Sequence, residues 1–193
     1  MWARLESNTI VEILNRPKAL NIGGVQYPSN IFSMWSNSEL ATIGIVPVTI
    51  DDTNLKDKRY YINTDITYTY DTETGRATGT YGSATAIAIA DSGSGENLVR
   101  GLKTIHKDRI NAEAGGILQP TDWMVVRAAE GGTAVPSSIT TKRAAVRTKA
   151  NAMCTQIDAV SDVDALAALY VYTNTGTEES PEFTRPLGEL PAV

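Results

Sequence analysis

Apolar and polar positions follow two different periods along this chain, and the change falls close to residue 90. Before it, apolar residues alternate or gather in short β-branched runs; after it they recur at steps of three, four and seven, the spacing of one helix face. Residues 2–5 and 9–14 flank Glu6-Ser7-Asn8, which is turn chemistry, and so predict a β-hairpin. Pro17 stops the second strand, and Ile22-Gly23-Gly24-Val25 predicts a turn between short extended pieces. Over 29–44, Ser29 or Asn30 and then Ser36 or Asn37 can cap two short helical segments, the second ending at Gly44 and leading into a strand over 45–50. Tyr60, Ile62, Thr64, Ile66, Tyr68 and Tyr70 share one parity and predict a single strand face; residues 71–75 then form a hairpin loop, with 76–81 returning.

The second half reads as helices. Leu98, Leu102, Ile105, Arg109 and Ala112 lie at helical spacing up to Gly115-Gly116, which is expected to end that helix. Thr121 or Asp122 caps a short helix reaching Glu130, and Trp123 in its first turn is expected to lie back over the neighbouring helix as a buried anchor. Pro136-Ser137-Ser138 opens the longest helix, whose apolar stripe is Ile139, Val146, Ala150, Met153 and Ile157. Ser161-Asp162 caps a last helix over 163–169, and Pro181, Pro186 and Pro191 punctuate an extended tail. The predicted class is α+β. A small antiparallel β-rich head (1–90) carries a helical insertion at 29–44, a Gly/Ser linker spans 91–95, a helical hairpin or bundle forms the body (96–170), and 171–193 is an extended arm.

Composition sharpens this outline. With 193 residues, 42% of them hydrophobic, the chain can build a core, but Phe32 and Phe183 are its only phenylalanines, so the cores are expected to be thin. A net charge of -5 and a pI near 4.9 argue against a nucleic-acid partner, which needs clustered Lys and Arg. A single cysteine, Cys154, allows no internal disulfide. The first residues lack the basic and apolar regions of a secretory signal, and no window has the length of a membrane span.

Candidate chemistry is sparse, and an enzyme is not expected. His106 is the only histidine, so no triad or histidine-rich metal site can be assembled; it reads as a surface or half-buried residue. Gly93-Ser94-Gly95 precedes a helix but lacks the rest of a phosphate-binding pattern, and no cofactor is expected. Asp51, Asp52, Asp57, Asp71 and Glu73 lie in predicted turns that could hold calcium, yet none fits a calcium-loop spacing. Arg100, Lys103, Lys107 and Arg109 form one basic run; Lys142, Arg143, Arg147 and Lys149 form another, in which Arg143 and Arg147 share a face. Cys154 reads as a small core residue. Tyr60, Tyr68, Tyr70 and Tyr81 offer a stacking platform as the alternative to an ordinary sheet core, which would make the head a carbohydrate-binding module.

Leu118, Thr121-Asp122-Trp123, Val135-Pro136, Arg143 and Arg147 together resemble the C-terminal segment of bacteriophage tail-fibre assembly and tail assembly chaperones. That resemblance covers about residues 96–160, with Lys142 where the family often has a tyrosine. The head, with Met1-Trp2-Ala3-Arg4 and Trp35-Ser36, Glu39-Leu40 and Gly44-Ile45, is similar to small proteins encoded among phage tail genes. The resemblance implies a non-enzymatic protein of the virion tail, made in the bacterial cytoplasm. It would bind a tail-fibre or baseplate protein and form a homo-oligomer in a symmetric tail assembly, without nucleic acid or membrane. The alternative is a transient fibre chaperone absent from the mature virion. Trp123, Arg143 and Arg147 in the body and Phe183, Arg185 and Leu187 in the arm are the expected partner-binding residues.

Overall fold

Ser7 and Asn8 both take positive φ (49° and 63°), the backbone of a tight turn whose twist suits a hairpin, and join β1 (Trp2–Glu6) to β2 (Thr9–Leu14). Gly23 and Gly24 repeat the device between β3 (Leu20–Ile22) and β4 (Val25–Tyr27). These hairpins open a computed structural model that describes residues 1–193 and divides into two units, Met1–Thr85 and Ala86–Val193. The molecule is α+β, as its two periods predict.

In the first unit, α1 (Ile31–Met34) and α2 (Asn37–Thr42) follow the hairpins. Ser36 and Glu39 form a reciprocal capping box at the start of α2, each side chain taking up the other's free backbone N–H. Gly44 then turns at φ +76°, where a Cβ would stand 2.8 Å from the Leu5 carbonyl oxygen; the Leu5 N–H donates to the Gly44 oxygen at 2.7 Å. β5 (Ile45–Asp51) comes next, and β7 (Ile66–Asp71) and β8 (Arg76–Tyr81) complete a five-stranded sheet in the order β2-β1-β5-β8-β7. β5 runs antiparallel to β1 through Ile45–Pro47 and parallel to β8 from Val48 onward, a parallel pairing within a sheet that is antiparallel at its other pairings, in keeping with the expected antiparallel-rich head. Pro47, which has no N–H to give a ladder, sits where the pairing changes over.

Alternation along β1 and β2 sends Trp2 and Leu14 to one face and Ala3 and Ile13 to the other. Leu14 packs with Leu20, Ile31, Leu40 and Ile45, and Trp2 meets Phe32 with ring centroids 4.7 Å apart. The opposite face is thin: Ala3, Val46 and Ala77 are its fully buried members, with Tyr70 and Val48 against them. The predicted six-residue tyrosine face is shorter than expected. Residues 63–65 interrupt it between β6 (Tyr61–Ile62) and β7, Tyr60 is buried outside the strands, and only Ile66, Tyr68 and Tyr70 share the half-buried face. Tyr60 is therefore apart from Tyr68 and Tyr70, and the four tyrosines do not form the single continuous strand face that the sequence predicts.

β9 (Thr85–Ala86) falls on the boundary, Thr85 closing the first unit and Ala86 opening the second. Residues 91–95 are not a free linker: Ser92 and Val99 exchange backbone hydrogen bonds, and Asp91 accepts from the Gly101 N–H at 2.7 Å, closing a loop onto the start of α3 (Leu102–Leu118). Contrary to expectation, α3 runs through Gly115 and Gly116, because Ile110 and Ala114 continue a stripe begun by Leu102 and His106. That stripe packs against Val146, Ala150, Met153 and Ile157 of α5 (Ser137–Ala159), the stripe predicted except for half-buried Ile139. The two helices are antiparallel: Lys107 near the start of α3 reaches Asp158 at the end of α5, and Arg143 near the start of α5 reaches Leu118. α4 (Asp122–Ala129) lies in the connection, following a 3-10 turn over Gln119–Thr121. α6 (Val163–Ala168) is capped by Asp162, whose carboxylate accepts from the Ala165 N–H. The arm is not simply extended: β10 (Thr173–Asn174) pairs with β11 (Phe183–Thr184), and the chain then returns to bury Leu187 completely.

Candidate partner-binding surface

Arg143 is the hub of the α3–α4–α5 corner. Its Nη1 donates to the Leu118 carbonyl at 2.8 Å and to Thr121 Oγ1 at 2.5 Å, while Nη2 pairs with Asp122 Oδ1 at 2.7 Å. Its side chain is only 11% exposed, so the bonds to Leu118 and Thr121 act where water competes poorly, whereas Asp122 is 56% exposed. Thr121 is therefore not the side-chain cap expected of it: its hydroxyl donates to Leu118 and accepts from Arg143. Leu118, Thr121, Asp122 and Arg143, which the sequence singles out as a spaced set, meet in one clamp. Arg143 thus orders the corner and is not a free guanidinium for a partner.

The clamp holds α4 with an unusual face outward. At 100° per residue, Met124, Arg127 and Ala128 lie on one side and are half-buried. Val125, Ala129, Asp122, Val126 and Trp123 cover the other side in that angular order, all exposed, and no residue of α4 is fully buried. Trp123 is 55% exposed, which corrects the expectation of a buried anchor. The physical reason is angular: the α4 positions turned inward belong to Met124, Arg127 and Ala128, and Trp123 falls outside that arc. Arg127 stands over the face of the Trp123 ring, 4.8 Å from its centre, a cation–π contact. Beside this face a groove of about 260 Å³ is lined by Val125, Val135, Thr140, Arg143 and Arg147. Arg147 is exposed at its wall, as expected of a partner contact. Val125, Val126 and Arg127 are not among the residues the sequence singles out, although a helix apolar around more than half its circumference is a signal for them.

The arm residues separate. Phe183 is 63% exposed on the hairpin. Leu187 is a core residue with no exposed surface, and its N–H donates to Leu169. Arg185 is largely buried: it donates to the Gly188 carbonyl and to Glu189, and stands 5.6 Å and 5.3 Å from the Tyr170 and Tyr172 ring centres. Leu187 and Arg185 therefore fasten the arm to its own unit, a correction to their expected role, and Phe183 alone of the three faces outward.

The remaining candidates are engaged locally. Asp51 accepts from Thr53, Asp57 from Arg59 and Asp71 from Glu73 and Thr74, and these hydrogen bonds hold each carboxyl below its ordinary range. Lys107 and Lys103 both reach Asp158, and Arg100 pairs with Asp108. His106 is buried, not superficial, with its ring 4.8 Å from that of Tyr170. Cys154 is half-buried, and desolvation pushes its thiol pKa up, away from nucleophilic character. In the first unit, a depression of about 420 Å³ is lined mainly by amide, hydroxyl and small side chains, with Arg76 its one charged residue. No protein-family model matches the chain, and neither a curated protein nor a solved structure matches it.

Proposed function

We propose that this chain is a non-enzymatic bacteriophage tail-associated protein. It binds a tail-fibre or baseplate protein and serves as a structural component of the tail, made in the host cytoplasm and carried in the virion. The observation that carries the reading is the outer side of α4: Val125, Val126 and Trp123 are all exposed on a helix with no buried residue. An exposed apolar helix surface that includes an aromatic residue with arginine beside it is the usual composition of protein contacts. The residues that carry the phage resemblance are the ones that fix this face in place, through the Arg143 bonds to Leu118, Thr121 and Asp122.

The test is quantitative mass spectrometry of purified particles, scaled to the major tail-tube protein. A fixed, symmetric copy number is the expected result. Presence in infected-cell lysates with absence from particles would instead make it an assembly chaperone, and absence from both would remove the phage reading.

A further inference from the structure

We propose that the occupant of the α4–α5 surface is the C-terminal hairpin of a second copy of this chain. The proposal rests on reading that surface as a protein-binding site, but it does not depend on the phage assignment.

Two surfaces of the second unit are left uncovered, and their chemistries are opposite. The first is the α4 face with its groove. Val125 and Val126 supply apolar area, with Trp123 further round α4, and Arg143 and Arg147 line the groove; Arg147 is the exposed cation of the two. Asp122 is already paired with Arg143.

The second surface is the hairpin. Every residue from Val171 to Thr184 is exposed, and this stretch holds Glu178, Glu179 and Glu182 with no lysine or arginine. Strand alternation places Tyr172 and Phe183 on one face, 52% and 63% exposed. The hairpin is well formed all the same: the Thr175 N–H donates to Glu182 O at 2.7 Å, and Asn174 Oδ1 accepts from the N–H groups of both Gly176 and Glu182. A two-stranded hairpin is marginal by itself. Arg185 and Glu189 of its own unit hold Tyr172, while Phe183 stays 63% exposed, and docking against apolar surface covers it.

The two surfaces therefore complement each other in sign and in kind: an acidic tip with two aromatics, and a valine-lined groove with the exposed Arg147 on its wall, on a corner that also carries Trp123. Like charge repels hairpin from hairpin and groove from groove, which favours the unlike pairing. Since the hairpin of one copy enters the groove of the next, the contact is heterologous and closes into a ring or continues as a filament according to the rotation between copies.

The experiment is light scattering after size exclusion on the full chain, over a range of protein and salt concentrations. The expected result is a mass that rises with protein concentration and falls with added salt, because the rim charges are screened. Trp123→Ala and Phe183→Ala should each weaken self-association by about tenfold or more, as truncating an interface aromatic does. The triple substitution Glu178→Lys, Glu179→Lys, Glu182→Lys should leave a monomer, and adding Arg147→Glu to it should restore part of the association. Mixing the Trp123→Ala and Phe183→Ala proteins should yield a dimer, since each retains the surface the other lacks. A monomeric mass for the wild type up to about 1 mM overturns the proposal, as no weaker contact would be specific. Association untouched by the triple substitution overturns it too; those three positions are exposed on the hairpin, so this variant decides the matter even if Trp123→Ala loses helicity. Neither result bears on particle copy number, so the tail reading is tested separately.

Discussion

Trp123 and Leu187 exchange the roles expected of them from their places in the sequence, buried anchor and partner contact. Trp123 keeps 55% of its surface in solvent, so truncating it removes few internal contacts. Trp123→Ala is expected to change unfolding stability by no more than about 0.5 kcal/mol, the range of ordinary surface substitutions. Leu187 has no exposed surface, and Leu187→Ala should cost about 2–5 kcal/mol. Thermal melts of the two variants, followed by circular dichroism, check the pair; a larger loss for Trp123→Ala would mean that its stack with Arg127 holds α4 in place. Residue type was legible in the sequence at both positions. Direction was not, because a tryptophan in a first helical turn faces core or solvent according to where the neighbouring helices lie.

Among the elements, α3 departs furthest from its local pattern. Glycine in a helix interior costs roughly 0.5–1 kcal/mol relative to alanine, which is why Gly115-Gly116 reads as a stop. The helix continues because Leu102, His106, Ile110 and Ala114 seat it on α5, and packing outweighs the local preference. A Cβ at either glycine would meet nothing within 4 Å, and neither has a positive φ. Gly115→Ala and Gly116→Ala are therefore each expected to stabilise the protein by about 0.4–1 kcal/mol, measured by denaturant titration. Helix starts lend themselves to a pH test. Asp91 accepts from the Gly101 N–H and Asp162 from the Ala165 N–H, and these bonds lower both carboxyls below the ordinary value of 3.8. With the folded pKa depressed, the unfolded chain binds protons first as pH falls, so the stabilisation present above that value is lost in the acid. Melting temperature should decline below about pH 4, and Asp162→Asn, which keeps a capping oxygen without the charge, should flatten part of the decline.

In the molecule as a whole, the arm joins two parts with different duties. The hairpin from Val171 to Thr184 is exposed throughout, whereas Arg185 and Leu187 are packed into the second unit. Replacing 175–182 by a short turn should leave the melting temperature unchanged, while removing 185–193 should destabilise the fold strongly. Calorimetry of the two deletions checks this; equal losses would mean that the hairpin tip is structural as well. The two-part division itself was legible from the change in hydrophobic period. Its position moved from the Gly/Ser run to Thr85, because Asp91, Ser92 and Val99 draw that run into the second unit.

The sequence by itself determined the elements that depend on local chemistry. Ser7-Asn8 and Gly23-Gly24 fix their hairpins through positive φ, Ser36 and Glu39 fix the start of α2, and the spacing of Val146, Ala150, Met153 and Ile157 fixes the buried side of α5. Each of these acts across a few residues, so it can be read along the chain. Tertiary structure decided the rest: that α3 survives its glycines, that β5 changes partner at Pro47, and that the arm folds back on Leu187. It also decided that Arg143 turns inward to clamp the corner while Trp123 turns out. Those outcomes depend on which surfaces distant segments bring together. A residue's environment is set by neighbours far away in sequence, and periodicity carries no record of them.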